Sequence, residues 1–232
     1  MLRRSFILGA ILFMGLSTMA ATNADIPGWG RFLDPDQDCS YDLDNGQLTV
    51  HVPGTAHDLS AEQNQMNAPR VLQIVSGDFT AQVKVSGVFQ PRTAVVPGRL
   101  PYQGAGLVLG QDIKNYVRLE RATFVQPNTG RSFHYANFEV RVNGQLLRMG
   151  QAHDYPLVED QDTYLRLERR GNQIFGAVSQ DGQNWHDLGT KTFPTGPKLF
   201  AGIDAVNACN TPFNPQFSEL KVQADAQSNA GQ

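Results

Sequence analysis

The chain has 232 residues, 19 Lys and Arg against 22 Asp and Glu, and a formal net charge of −3. A charge so small and so mixed in sign excludes the basic face that a nucleic-acid partner demands. The length is enough for one sizeable domain with its own core.

The first residues, MLRRSFILGAILFMGLSTMA, combine Arg3 and Arg4, an apolar run over Phe6–Leu16 and a small-residue motif ending at Ala20. This is the pattern of a signal peptide over residues 1–20, and a cut after Ala24 satisfies the same rule. The apolar run falls short of the roughly 20 residues of a membrane span. An uncleaved anchor is the alternative. The expectation is a secreted or periplasmic protein with no membrane insertion after cleavage. Cleavage after Ala20 removes two Arg and no acid, so the charge becomes 17 − 22 = −5. Residues 21–28 then form a linker, 29–222 one domain, and 223–232 a disordered tail.

Trp29 is a core residue. Asp34, Asp36 and Asp38 stand at every second position and offer the hard oxygens that calcium prefers. The alternative is a polar turn rich in Asx caps. No cofactor is required by any motif; a structural calcium is the one cofactor these acids raise. Cys39 and Cys209 are the only cysteines. In an exported chain they read as a disulfide, with two buried free thiols as the alternative.

Asn45-Gly46 is a hairpin turn, and Gln47–Val52 alternates as a strand. Pro53–Ala68 is a polar loop with at most one helical turn near Ser60–Gln65. Arg70–Val75 and Phe79–Ser86 are strands. Phe89–Gln103, with three Pro, is a long connection. Gly104–Leu109 is apolar on both sides, as a buried strand is. Tyr116–Arg121 follows, then a second long loop over Thr123–Ser132. His134–Val142 alternates, Asn143-Gly144 closes a hairpin, and Gln145–Met149 returns. After a loop over His153–Gln161 come strands at Thr163–Arg169 and Ile174–Ser179. Asp181-Gly182 marks another hairpin tip, with Trp185 on its return strand. Leu199–Ala208 and Phe217–Val222 complete the chain. About a dozen strands with turns every ~8–12 residues predict an all-β, two-sheet antiparallel jelly-roll sandwich.

Two of these strands nearly repeat: Tyr116-Val-Arg-Leu-Glu-Arg121 and Tyr164-Leu-Arg-Leu-Glu-Arg169. Period two puts Val117, Leu119, Leu165 and Leu167 on a core face. It puts Tyr116, Arg118, Glu120, Tyr164, Arg166 and Glu168 on the other. Asn137, Glu139 and Arg141 join that polar face from the strand at 134–142. With the two motifs as neighbours in one sheet, the face is a ligand-binding surface of aromatic rings, guanidiniums and carboxylates suited to sugars. The alternative is a solvated ladder of Arg–Glu pairs.

Several strings occur in order: Asn67-Ala-Pro-Arg-Val-Leu72, Gly77-Asp-Phe79, Gly104-Ala-Gly-Leu-Val-Leu109, Asn115-Tyr-Val-Arg-Leu-Glu120 and Ser179-x-Asp-Gly-x-x-Trp185. Together they resemble the concanavalin A-like lectin/glucanase superfamily. They look most like its domain of unknown function 1349 branch ("regulation of enolase protein 1"-like), which is similar to the sandwich appended to family 43 β-xylosidases. The resemblance implies a curved jelly-roll sandwich and a glycan or polysaccharide partner. It does not carry an activity. The glucanase branch uses Glu-x-Asp-x-x-Glu on one strand, and that string is missing. His57-Asp58, His153-Asp154 and His186-Asp187 match no metal spacing and read as surface or loop contacts. The expectation is a non-catalytic, lectin-like carbohydrate-binding module. A divergent glycoside hydrolase or lyase, and an adhesive interaction sandwich, are the rivals.

Overall fold

The computed structural model describes residues 24–194 and 196–224. The expected signal peptide and nearly all of the expected tail lie outside them. The strands are β1 (Asp25–Ile26), β2 (Gly30–Leu33), β3 (Ser40–Asp44), β4 (Gln47–His51), β5 (Leu59–Ser60), β6 (Gln65–Met66), β7 (Arg70–Ser76), β8 (Phe79–Ser86) and β9 (Tyr102–Asp112). They continue with β10 (Asn115–Gln126), β11 (Arg131–Val142), β12 (Gln145–Arg148), β13 (Thr163–Arg170), β14 (Gln173–Ser179), β15 (His186–Thr192), β16 (Lys198–Asn207) and β17 (Gln216–Ala224). One turn of 3-10 helix, Ala61–Gln63, joins β5 to β6.

Two antiparallel sheets face each other. The first has the order β1-β2-β7-β16-β9-β10-β11-β12, the second β15-β14-β13-β8-β17-β4-β3. The predicted all-β sandwich is therefore correct. Alternation explains the core. Val71, Leu107, Val117, Leu119, Phe138 and Ile203 point inward from the first sheet, and Leu48, Val83, Leu165, Leu167, Val178 and Phe217 from the second. Trp29 is buried as expected.

The expected pairing of the twin motifs is wrong. β10 pairs with β9 and β11 in the first sheet, while β13 pairs with β8 and β14 in the second. Their leucines meet in one core from opposite sides, so their polar faces point away from each other. The repeat encodes a strand with one apolar face, and both layers of a sandwich need such strands. Local turns choose the partners instead. Asp112 accepts the Lys114 and Asn115 amides and tightens the β9–β10 turn.

The loop expected at 123–132 is mostly strand. β10 runs to Gln126 and β11 starts at Arg131, leaving a four-residue tip in which Gly130 holds φ +67°. Phe124 pairs with Phe133 across it, and that stack keeps the ladder going past the predicted boundary.

Glycine at 106 is required by strand spacing. A Cβ there would lie against the Leu119 carbonyl and the Glu120 Cα of β10. Gly106→Ala is expected to lower stability by about 1–3 kcal/mol, the usual range for overpacking. Urea unfolding checks it, and an unchanged midpoint would contradict the spacing argument.

Candidate binding site

The outer face of the first sheet is charged but not solvated. Pairing builds one row across five strands: Arg70 on β7, Asp204 on β16, Gly106 on β9, Glu120 on β10 and Asn137 on β11. The next rows add Arg118 beside Glu139 and Tyr116 beside Arg141. Of the nine residues expected to bind ligand, these six (Tyr116, Arg118, Glu120, Asn137, Glu139, Arg141) are at most 4 % exposed.

A strap made of β5, the 3-10 turn and β6 covers them. Leu59, Ala68, Val108, Tyr116 and Val206 form a small second core beneath it. The Tyr116 hydroxyl donates to the Leu59 carbonyl at 2.8 Å and accepts the Ala61 amide at 3.2 Å. Arg141 Nε donates to Glu62 Oε2 at 2.8 Å. Asp58, at the start of the strap, pairs with Arg99 at 3.1 Å. The 53–68 segment was expected to be a polar loop. Asp58 and Glu62 instead give it anchors in the charged face.

Arg118 is the hub. Its Nε donates to Glu139 Oε2 at 3.2 Å, and Nη2 reaches the same oxygen. Nη1 lies 3.5 Å from Glu120 Oε1 and 4.0 Å from both Asp204 Oδ2 and Asp58 Oδ1. Arg141 Nη1 donates to Glu139 Oε2 at 2.6 Å. Burial opposes ionisation of Glu139, but Arg118 and Arg141 hold its pKa down at about 2. The other two acids go the opposite way. Burial drives Glu120 well above the usual carboxylate range, against the pull of Arg118 and with a push from Asp204. Burial likewise raises Asp204 to about 6, against Arg118 and Arg70. Gly106 separates these two acids and offers no side chain. With both carboxyls ionised, Glu120 Oε1 and the Asp204 oxygens have no donor, which favours the protonated forms in this buried row.

Towards the β10–β11 hairpin tip the same face opens. The Tyr102 hydroxyl donates to Glu120 Oε2 at 2.9 Å and accepts from Asn137 Nδ2 at 3.0 Å. Beyond it, partly exposed Phe124 and Phe133 stack with centroids 4.9 Å apart, and the Arg131 guanidinium lies 4.8 Å from the Phe133 centroid. An aromatic ledge thus leads to the charged row.

Tyr164, Arg166 and Glu168 lie on the opposite surface, the outer face of the second sheet, and are partly exposed. Arg166 stacks 3.7 Å from the Trp185 ring centroid and donates to Gln82 Oε1. Glu168 accepts from Arg170 at 2.6 Å. The nine residues therefore form two separate surfaces. A third concavity, lined by Phe138, Arg148, Gly150, Asp154 and His186, opens at the sandwich edge.

Both cysteines are buried free thiols, contrary to the expected disulfide. Cys209 Sγ donates to Asn207 Oδ1 at 3.1 Å, and Cys39 Sγ lies 3.6 Å from Asp38 Oδ1. Each thiol has its own polar partner. The three acids raised for calcium each have a protein partner. Asp34 Oδ2 accepts the Cys39 amide, Asp36 accepts from Asn67, and Asp38 meets His57. Of the His-Asp pairs, His153-Asp154 is at the surface as expected and His186 stacks on Tyr155. His57 is not a surface residue; it is 1 % exposed.

Tyr102, Phe124, Phe133 and Asp204 are not among the residues the sequence singles out, and Asp58 appears there only as a loop contact. Asp204 had a legible signal. It is the one charge in the apolar run LFAGIDAVNA, and a lone acid in a buried strand needs partners.

No family model matches the chain, and no curated protein matches it in sequence. Solved structures do match in shape. A functionally unknown protein from Saccharomyces cerevisiae superposes with a TM-score of 0.60 at 18% identity, over 81% of this chain and 92% of that one. A family 43 glycoside hydrolase from Bacillus licheniformis gives 0.57 at 19% identity, over 88% and 38%. A xylan β-1,4-xylosidase from Bacillus halodurans gives 0.54 at 15% identity, over 79% and 38%. The chain thus spans little more than a third of each bacterial enzyme. The likeness is one of fold: an antiparallel two-sheet β-sandwich.

Proposed function

We propose that the chain is an exported, non-catalytic carbohydrate-binding module of the domain of unknown function 1349 kind. It takes a glycan at the open end of the first sheet's outer face. One observation carries this: the Phe124–Phe133 stack leads past Tyr102 to the Glu120–Asn137 row. Partly exposed rings for contact with a sugar thus adjoin the exposed Arg131 guanidinium, which can bond hydroxyls. The xylosidase among the neighbours makes xylan-type polysaccharide the first ligand to test.

Binding is favoured over hydrolysis by the acids themselves. Glycoside cleavage needs two carboxyls standing apart on either side of the bond, at about 5–9.5 Å. Glu120 and Asp204 are 0 % and 1 % exposed, so a glycan bond cannot be placed between them.

Retention of the chain on insoluble xylan and on a glycan array tests the proposal. Phe133→Ala is expected to weaken retention about 3–10-fold, the worth of one aromatic contact. The melting temperature should stay within a few degrees. A wild type that no glycan retains would end the proposal. Loss in Tyr164→Ala with none in Phe133→Ala would move the site to the opposite face, where Arg166 and Trp185 stack.

A further inference from the structure

Asp38, Cys39 and His57 converge from two separate segments, the β2–β3 connection and the start of the strap. One ligand atom from each lies within 4.8 Å of the others. His57 Nε2 is 2.8 Å from Asp38 Oδ1, and Cys39 Sγ is 3.6 Å from the same oxygen. Tetrahedral zinc, with bonds of about 2.0 Å to N and O and 2.3 Å to S, sets such ligand atoms about 3.3–3.5 Å apart. The Asp38–Cys39 separation already matches, and the Asp38–His57 pair needs about half an ångström of opening.

Two further observations point to a cation. Asp34 is 5 % exposed and lies beside Cys39, accepting its amide through Oδ2, yet its buried Oδ1 has no partner. The His57 ring is also oriented from behind. Nδ1 lies 3.2 Å from the Thr55 carbonyl and 3.4 Å from the Thr55 hydroxyl, so Thr55 fixes the ring with Nε2 facing Asp38. In the tautomer that donates from Nδ1 to the Thr55 carbonyl, Nε2 presents its lone pair on the Asp38 side, where it can ligate a metal. Asp38 has a side chain 44% exposed, which gives the ion a path from solvent.

We infer that Asp38, Cys39 and His57 form a site for a divalent transition metal of the zinc type, with Asp34 Oδ1 or water as the fourth ligand. The mixed S, N and O donors favour zinc over calcium. Cys39 releases its proton to solvent as the metal–sulfur bond forms. The site ties the connection that enters the second sheet to the strap that covers the first. This does not depend on glycan binding.

Metal-free full-length chain is titrated with Zn²⁺ against a chromogenic chelator, and separately with Co²⁺. The expected result is one ion per chain, with a thiolate-to-cobalt charge-transfer band in the near ultraviolet. Cys39→Ser should abolish that band and weaken zinc about 100-fold or more, beyond the 10–100-fold cost of losing an outer partner. Cys209→Ser should leave both unchanged. If Cys39→Ser does not fold, Asp38→Asn replaces it, since that side chain is half open to water. It should weaken zinc at least about 10-fold without moving the melting temperature of the metal-free protein. No stoichiometric binding, or a cobalt band that survives loss of Cys39, overturns the site. So does native protein whose two thiols prove to be joined. A chain that binds zinc as described but no glycan refutes only the binding proposal above.

Discussion

Arg118→Met is expected to cost about 3–5 kcal/mol of folding stability, the range seen when one partner of a buried ion pair is removed. The side chain is 3 % exposed and is the hub for Glu139, Glu120, Asp204 and Asp58. Methionine matches its stem but leaves Glu139 with Arg141 and an uncompensated neighbourhood of acids. The loss should be larger at pH 7 than at pH 4.5, because the stranded carboxyls can take up protons in acid. Arg166→Met is the control. Its guanidinium lies on an open face against Trp185 and Gln82. It should change stability by no more than about 1 kcal/mol. Urea unfolding at both pH values measures all four quantities. Equal effects of the two substitutions would mean that the strap does not bury the charged face.

The wild-type fold should be most stable in mild acid. Glu139 has a folded pKa of about 2 against an ordinary value of 4.5. Its contribution is complete above pH 4.5 and is lost as pH falls towards 2. Asp204 is the reverse, about 6 folded against 3.8 ordinarily. The folded state holds a proton that the unfolded chain has released, so its contribution is complete below pH 3.8 and disappears as pH rises through 6. Glu120 is raised as well and acts in the same direction. The two trends bracket a maximum between about pH 4 and 5. A shift of this size in Asp204 corresponds to about 2 kcal/mol between pH 4 and 7. Asp204→Asn removes the titration and keeps the shape. Its stability should therefore vary much less over that interval. A parallel pH profile in the two proteins would show that Asp204 is ionised in the folded state.

The largest gap between sequence and structure concerns Arg118 and Arg166. They occupy the same position in near-identical hexapeptides, and alternation correctly assigns both to a polar face. Yet one is buried beneath the strap and the other is partly exposed. Nothing in Tyr-x-Arg-x-Glu distinguishes them. The difference is imposed by Leu59, Ala61 and Met66, some fifty residues before the first motif. Phe124 and Phe133 show a related limit. Pro127 and Gly130 made the whole of 123–132 look like a loop, but cross-strand stacking extends the ladder to within four residues of the tip.

By itself the sequence determined that this is an all-β sandwich, which residues alternate inward, where the hairpins turn, and that Leu119 and Leu167 belong to the core. Those features depend on period two and on turn chemistry, both of which act between residues close in the chain. Only the tertiary structure decided that the twin strands lie in opposite layers. It also decided that one charged face is roofed, that Glu120 and Asp204 flank Gly106 in one buried row, and that Cys39 meets His57 rather than Cys209. Each of these is a contact between distant segments. A strand's pattern states which face it must hide, but not which partner hides it.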